Sequence, residues 1–243
     1  MKILLLLLTF IVSSFSASLN IAAAANTAYV LEEIKREFIK LYPDAKINIS
    51  LGSSGKLVAQ IKNGAPFDLF FSANMDFAQT LYNDKFAINA PQIYASGKVA
   101  ILSIRGHKPN LNSLKDDKIK TIIIANPKTA PYGAATLEIL QKVGIYEDIK
   151  HKIIKTNSIG DALNQTIKAG DIGFVAASSL MAKQMQRYNN YLILDNSLHT
   201  SIDQGMVILT HGKDNQLAKA FYDFILSKTA QDIFAKFGYT PVI

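Results

Sequence analysis

Short apolar segments alternate along the chain with segments of helical periodicity. Residues 18–24 and 46–51 have the composition and alternation of β-strands. Between them, apolar residues recur at helical spacing, at Val30, Leu31, Ile34, Phe38 and Leu41. Asn26 stands just before this helix and is a favoured N-cap residue. The start of this region therefore predicts a strand, a helix and a second strand.

The same alternation continues towards the carboxyl terminus. Further strands are predicted at 67–72, 97–104, 120–125, 153–156, 171–176, 191–194 and 201–209. Helical patterns lie at 76–81, 134–141, 162–169, 178–185, 215–226 and 230–237. Alternating strands and helices favour an α/β fold with a doubly wound parallel sheet and right-handed crossovers. The number of elements implies two α/β halves of similar size.

One strand-to-helix turn has clear chemical potential. Gly52-Ser53-Ser54-Gly55 follows a strand and precedes a short amphipathic helix that begins near Ser54 or Gly55. The first N–H groups of a helix have no intrahelical partner, the macrodipole is positive there, and glycine permits close approach. Such a turn can hold an oxyanion, although an ordinary serine N-cap would have the same sequence.

Four predicted junctions of this kind carry small or neutral polar residues. They are Ala25-Asn26, Ser53-Ser54, Pro131-Tyr132-Gly133 and Ser158-Ile159. Ligands of open α/β sheets sit beyond the carboxyl ends of the strands, so we expect the four junctions to converge. The resulting site would consist of N–H and O–H donors alone.

The amino terminus has the features of a secretory signal peptide. Lys2 precedes an apolar run at 3–12, which is too short to span a bilayer comfortably, and small residues follow it. We predict a signal peptide at 1–16 with cleavage after Ser16, and cleavage after Ser18 is equally allowed. The mature protein is then expected to be exported and soluble.

Composition narrows the function classes further. The chain has 243 residues, 49% of them hydrophobic, which is enough for one large domain or two modest lobes. It has no cysteine, so thiolate catalysis and thiolate metal sites are excluded. Its formal charge of +7 could attract a small anion. The lysines are scattered and form no basic stripe interleaved with aromatics, so we expect no nucleic-acid partner.

Catalysis and metal binding are less favoured interpretations of the polar residues. His107, His151, His199 and His211 are isolated and show no zinc-ligand spacing. Ser54 could be the nucleophile of a secreted serine esterase, but Gly52-Ser53-Ser54-Gly55 lacks the Gly-x-Ser-x-Gly elbow. We therefore expect a protein that is not an enzyme and needs no cofactor.

Several segments together resemble the periplasmic molybdate-binding proteins of ABC importers, the ModA family. The segments are AAAAN at 22–26, SSGKLVAQIKNGAPFDLFFSA at 53–73, ANPKTAPYGAATLEILQKVG at 125–144, GDIGFVAASSL at 170–180 and KAFYDFILSKTAQDIFAKFGY at 219–239. The second and the last are the most specific. The resemblance covers nearly the whole chain after the predicted signal peptide.

The resemblance implies a type II periplasmic-binding-protein fold, with two α/β lobes around a hinge and the ligand in the cleft. The lobes would be 17–97 with 204–243, and 98–203. Asn26 and Ser54 would supply backbone and side-chain donors from the first lobe, and Tyr132 and Ile159 backbone N–H groups from the second. Ala25 and Ser53 would lie beside the anion. Molybdenum would be bound only as its oxyanion.

One position departs from the family pattern. Many members have a tyrosine after the GFV-like strand that donates its hydroxyl to the anion, and this chain has Ala176 there. Tyr132 is the aromatic residue that could replace this donor. We predict that the Tyr132 hydroxyl does so and that removing it weakens binding.

The function implied is capture of molybdate, and of tungstate, in the periplasm and delivery to a membrane permease with a cytoplasmic ATPase. We expect a monomer. The sequence leaves open the preference between the two anions. A binding protein for another tetrahedral oxyanion, sulfate or phosphate, is the main alternative.

Overall fold

The structure is a computed structural model and describes residues 18–243. The predicted signal peptide lies outside the described residues. The strands are β1 (Ser18–Ala24), β2 (Lys46–Gly52), β3 (Leu69–Phe71), β4 (Gln92–Gly97), β5 (Val99–Ser103), β6 (Ile122–Ala125), β7 (Ile153–Thr156), β8 (Ile172–Ala176), β9 (Tyr191–Ile193), β10 (Ile202–Ile208) and β11 (Thr240–Pro241).

Helices connect most of these strands. They are α1 (Ala28–Leu41), α2 (Ser54–Lys62), α3 (Met75–Asn83), α4 (Pro131–Lys142), α5 (Tyr146–Ile149), α6 (Ile159–Ala169), α7 (Ala177–Leu180), α8 (Gln216–Ile225) and α9 (Lys228–Lys236). None of the helices within residues 18–243 combines the length and apolar character needed to cross a bilayer.

The strands form two sheets, each the centre of one lobe. The first sheet has the order β11-β4-β10-β3-β1-β2 and the second has the order β7-β6-β8-β5-β9. This two-lobe α/β architecture confirms the predicted fold class. The lobe bounds of 17–97 with 204–243, and 98–203, stay a prediction.

Only one end of each sheet is parallel, and in each it comprises three strands that include an edge strand. β2, β1 and β3 pair in parallel in the first sheet, and β7, β6 and β8 do so in the second. β10 is antiparallel to β3 and β4, and β5 is antiparallel to β8 and β9. The first three strands pair in parallel, as the alternation of strands and helices predicted. β5 and β10 add to their sheets in reverse because the chain crosses from one lobe to the other and returns.

Most predicted elements lie within a few residues of their observed bounds. β4 and β11 were not predicted: β4 (QIYASG) is rich in small and polar residues, and β11 has only two residues. The helix predicted at 178–185 is interrupted: α7 ends at Leu180, and a separate 3₁₀ turn covers Lys183–Met185.

Burial explains the regular amphipathic pattern of the helices. In α1, Val30, Leu31, Ile34 and Phe38 are buried against the first sheet. In α6, Ile159 and Ala162 are buried in the core of the second lobe. These helices dock through apolar faces and leave their amino-terminal ends at the cleft between the lobes.

Candidate anion-binding cavity

A small cavity lies between the two lobes, at the point where the predicted junctions meet. Its accessible volume is about 10 Å³. Pockets for drug-sized ligands have volumes of roughly 300 to 1,000 Å³, so this cavity suits only a small ion or molecule. It is lined by Ala24, Ala25, Asn26, Gly52, Ser53, Ser54, Ala73, Ala130, Pro131, Tyr132 and Ile159.

All six residues that the sequence singled out line this cavity. Ala25, Asn26, Ser53 and Ser54 belong to the first lobe, and Tyr132 and Ile159 belong to the second. Ser158, a member of the fourth predicted junction, instead caps α6, where its hydroxyl accepts a hydrogen bond of 3.1 Å from Asp161 N.

Three helices begin at the cavity wall. α2 begins at Ser54, α4 begins at Pro131 and α6 begins at Ile159. The first N–H groups of each helix have no intrahelical acceptor, and the helix dipole is positive at this end. Pro131 has no N–H, so Tyr132 carries the first backbone donor of α4. Three helix ends therefore direct positive potential towards one small volume.

The serine hydroxyls add side-chain donors. Ser53 is 4% exposed, and its Oγ is buried without a hydrogen-bond partner among the described residues. Ser54 Oγ accepts a hydrogen bond of 3.0 Å from Ala73 N, so its own proton is free to be donated. Among the lining residues there is no Asp, Glu, Lys, Arg or His. The cavity thus presents neutral donors to whatever occupies it.

The side chain of Asn26 has a different role from the one expected. Both hydrogens of its amide are already donated, to Gln204 Oε1 at 2.8 Å and to the Tyr239 hydroxyl at 2.9 Å. Asn26 also does not cap α1, because it lies in a 3₁₀ turn, Ala25–Thr27, that precedes the helix. Its backbone N–H is therefore the donor that Asn26 can offer to the cavity.

The hydroxyl of Tyr132 contacts β10 and β4 of the first sheet. It accepts a hydrogen bond of 3.3 Å from Gln204 Nε2 on β10. It also lies against Gly97 at the end of β4, where a Cβ atom would come within 2.0 Å of the hydroxyl oxygen. Burial raises the pKa of Tyr132 well above its usual value, so the hydroxyl stays protonated. The hydroxyl accepts the bond from Gln204, so the predicted replacement of the donor that is absent at Ala176 stays a prediction.

Hydrogen bonds across the cleft show that the lobes are closed. Gly55 N donates to Thr129 O at 2.9 Å, and Lys56 Nζ donates to Asn157 Oδ1 at 2.8 Å. The first residue of each pair belongs to the first lobe and the second to the other lobe. The cavity is therefore bounded by both lobes at once.

Sequence reasoning missed the residues behind the cavity wall. Gln204 is fully buried in a strand that is otherwise mostly apolar, and that contrast was the available signal. Tyr239 belongs to a hydrophobic core. Its hydroxyl also donates to Asn26 O at 3.0 Å. Burial raises the pKa of Tyr239 to about 12.

Comparisons with known proteins place the chain among bacterial binding proteins. Residues 19–240 match the family described as bacterial extracellular solute-binding protein. The chain is 33% identical to the molybdate-binding protein ModA of Azotobacter vinelandii, over 92% of this chain and 90% of that protein. It is 32% identical to ModA of Rhodobacter capsulatus, over 90% of this chain and 86% of that protein.

A solved structure has the same architecture. The periplasmic molybdate-binding protein of Azotobacter vinelandii superposes with a TM-score of 0.86 at 31% identity, and the match covers 91% of this chain and 98% of that one.

Proposed function

The chain belongs to the bacterial extracellular solute-binding proteins and, among them, to the ModA family, and on this basis we propose that it binds molybdate, with tungstate as a second ligand. We further propose that it acts in the periplasm, after export by the signal peptide predicted at 1–16, and delivers the anion to an ABC permease with its cytoplasmic ATPase. It acts as a binding protein, without a catalytic role or a cofactor.

The observation that carries this proposal is the convergence of neutral donors on one small cavity. The proposed ligands of the anion are the backbone N–H groups of Asn26, Tyr132 and Ile159 and the donors of Ser54, with Ala25 beside it. Ser53, first expected only beside the anion, joins the donors because its buried hydroxyl has no other partner.

Neutral donors are sufficient for a dianion. A hydrogen bond to a charged group contributes roughly 1.5 to 3 kcal/mol, so several such bonds can outweigh the costs of desolvation and association. Molybdate and tungstate have longer metal–oxygen bonds than the sulfur–oxygen bonds of sulfate, so donors at fixed positions can select by size. A monoprotonated phosphate would need an acceptor for its proton, and no carboxylate is among the lining residues.

Calorimetric titration of the purified protein with molybdate, tungstate, sulfate and phosphate tests the proposal directly. We expect molybdate and tungstate to bind much more tightly than the other two anions. If sulfate or phosphate binds more tightly than molybdate, that anion is the ligand instead. If the protein hydrolyses a simple ester and the activity depends on Ser54, the alternative function as a serine esterase is favoured.

Molybdate should also stabilise the protein against heat, because a ligand that binds only the folded state shifts the unfolding equilibrium. At a ligand concentration of about one hundred times Kd the gain is about 2.7 kcal/mol, or roughly 5–10 °C in Tm for a chain of this size. Differential scanning calorimetry measures this shift. An unchanged Tm at saturating molybdate would count against the function.

Lys56→Ala should accelerate molybdate release while changing affinity by less than about fivefold, because an exposed pair contributes only up to about 1 kcal/mol. Lys56 reaches Asn157 across the cleft, so its loss weakens the closed state. Lys62→Ala is the matched control, since Lys62 lies on the same helix but pairs with Asp84 in its own lobe.

Stopped-flow kinetics separates the two variants. Both lose one positive charge, so both should show a similar fall in association rate and in its salt dependence. Only Lys56→Ala should show faster dissociation. Equal dissociation rates in the two variants would mean that the contact with Asn157 does not hold the cleft closed.

A further inference from the structure

We propose that Gln204 is the positioning residue of the cavity: its single amide fixes one lining residue from each lobe and so sets the spacing of the donors. This inference rests on the proposed oxyanion-binding function and adds to it a residue that does not line the cavity. Gln204 lies on β10, one of the two strands that meet at the hinge, and is fully buried.

The hydrogen bonds of Gln204 link the two lobes through one side chain. Its Oε1 accepts from Asn26 Nδ2 at 2.8 Å and from the Tyr94 hydroxyl at 2.7 Å. Its Nε2 donates to the Tyr132 hydroxyl at 3.3 Å. Gln204 Oε1 thus accepts from two residues of the first lobe, and its Nε2 donates to a residue of the second. Asn26 in the first lobe and Tyr132 in the second are therefore held at a defined separation.

Asn26 is held at its backbone carbonyl as well as at its side chain. The Asn26 carbonyl accepts from the Tyr239 hydroxyl at 3.0 Å and from Ser178 Oγ at 3.2 Å. Gln204 and Tyr239 together hold the side chain. The carbonyl and the side chain of Asn26 are thus both held by buried residues behind the cavity wall, and Asn26 itself lines the cavity.

The hinge strands are shaped around the same amide. The pairing of β10 with β4 shifts in register between Gln204 and Gly205, which pair with Ala95 and Ile93. Tyr94 is the extra residue of this irregularity, and a bulge of this kind redirects a side chain. On the same strand, a Cβ at Gly97 would lie 2.8 Å from Gln204 Nε2, so a glycine leaves the necessary room.

Gln204→Met tests the role, because methionine keeps the approximate shape and removes every hydrogen bond of the amide. We expect molybdate affinity to fall by about tenfold or more, since two lining residues lose their anchor. Discrimination between molybdate and sulfate should fall as well, because donors that can move adapt to a smaller anion.

Gln231→Met is the matched control. Gln231 is also buried, at 2% exposure, and its amide bonds Tyr94 O, Ile225 O and Val242 N away from the cavity. Both variants should lower the Tm of the ligand-free protein. Only Gln204→Met should change molybdate affinity and the molybdate-to-sulfate ratio, which a purely structural role would leave unchanged.

Two milder variants keep the test decisive if Gln204→Met does not fold. Tyr94→Phe removes one hydrogen bond from Gln204 without changing a lining residue and should weaken binding by about threefold or more. Tyr132→Phe should weaken binding by a similar factor. In a double-mutant cycle, Tyr132→Phe should cause no further loss in the Gln204→Met background, because its hydroxyl acts through that amide.

The outcomes separate this inference from the proposed function. If the wild type binds molybdate and Gln204→Met binds it with equal affinity, the role of Gln204 alone is overturned. If Gln204→Met does not fold, equal affinity of Tyr94→Phe and the wild type overturns that role instead. If the fold-losses of molybdate affinity in Gln204→Met and Tyr132→Phe multiply in the double variant, the Tyr132 hydroxyl acts on the anion independently of Gln204. Wild-type protein that binds none of molybdate, tungstate, sulfate and phosphate overturns both proposals.

Discussion

Ser53→Asp is expected to abolish molybdate binding while leaving the protein folded. Ser53 precedes the first residue of α2 and has extended backbone angles, so it stands at the N-cap position. Aspartate is a favoured N-cap residue, and its charge interacts well with the helix dipole. The ligand-free variant should therefore be at least as stable as the wild type.

Its effect on binding should be large because the new carboxylate lies where the anion would lie. Two unit charges about 4 Å apart repel by roughly 4 kcal/mol at an effective dielectric of 20, and molybdate carries two charges. We expect calorimetry to show a loss of at least about a thousandfold in affinity.

Ser53→Asn separates charge from size in this experiment. Asparagine has nearly the same shape as aspartate and is also a favoured N-cap, but it is neutral. It should bind molybdate at least about a hundredfold more tightly than Ser53→Asp, by the same electrostatic argument. Equal binding by the two variants would show that no anion occupies the cavity.

Ser54→Ala is expected to weaken molybdate binding by about ten- to a hundredfold, the equivalent of one charge-assisted hydrogen bond of roughly 1.5 to 3 kcal/mol. The hydroxyl of Ser54 accepts from Ala73 N and has its proton free for the ligand. The backbone N–H of residue 54 remains in the variant. The ligand-free protein should also lose some stability, because Ala73 N loses its acceptor.

Ser103→Ala provides the control for a buried serine outside the cavity. Ser103 is 3% exposed at the end of β5, and its Oγ has no partner among the described residues. Its replacement should leave the affinity for molybdate unchanged in titration calorimetry. If Ser54→Ala also binds as the wild type does, the Ser54 hydroxyl does not contact the anion.

Features that depend on short stretches of chain could be predicted from the sequence. The strand β1 was predicted with its observed bounds, and α2 begins at Ser54 as the turn chemistry indicated. All six candidate residues line the cavity, and this too follows from local patterns in the sequence. A strand followed by small residues and an amphipathic helix places N–H donors at a helix end, and the α/β pattern brings such ends to one edge.

The hydrogen-bond partners of individual side chains could not be predicted from short stretches of chain. The sequence favoured Asn26 as a side-chain donor and the Tyr132 hydroxyl as a replacement for the one absent at Ala176. In the structure the Asn26 amide bonds Gln204, and the Tyr132 hydroxyl bonds the same residue. Both residue types have several possible partners, and the sequence near them does not specify which partner is in reach.

The sequence by itself determined the two α/β halves, the strand-to-helix junctions and the neutral character of the cavity wall, because each follows from local periodicity and residue type. The tertiary structure decided the mixed strand directions, the contacts across the cleft and the hydrogen bonds of Gln204. Asn26 and Gln204 are 178 positions apart in the chain. A contact over that separation depends on how the two lobes and the hinge strands pack, and no periodicity in either segment encodes it.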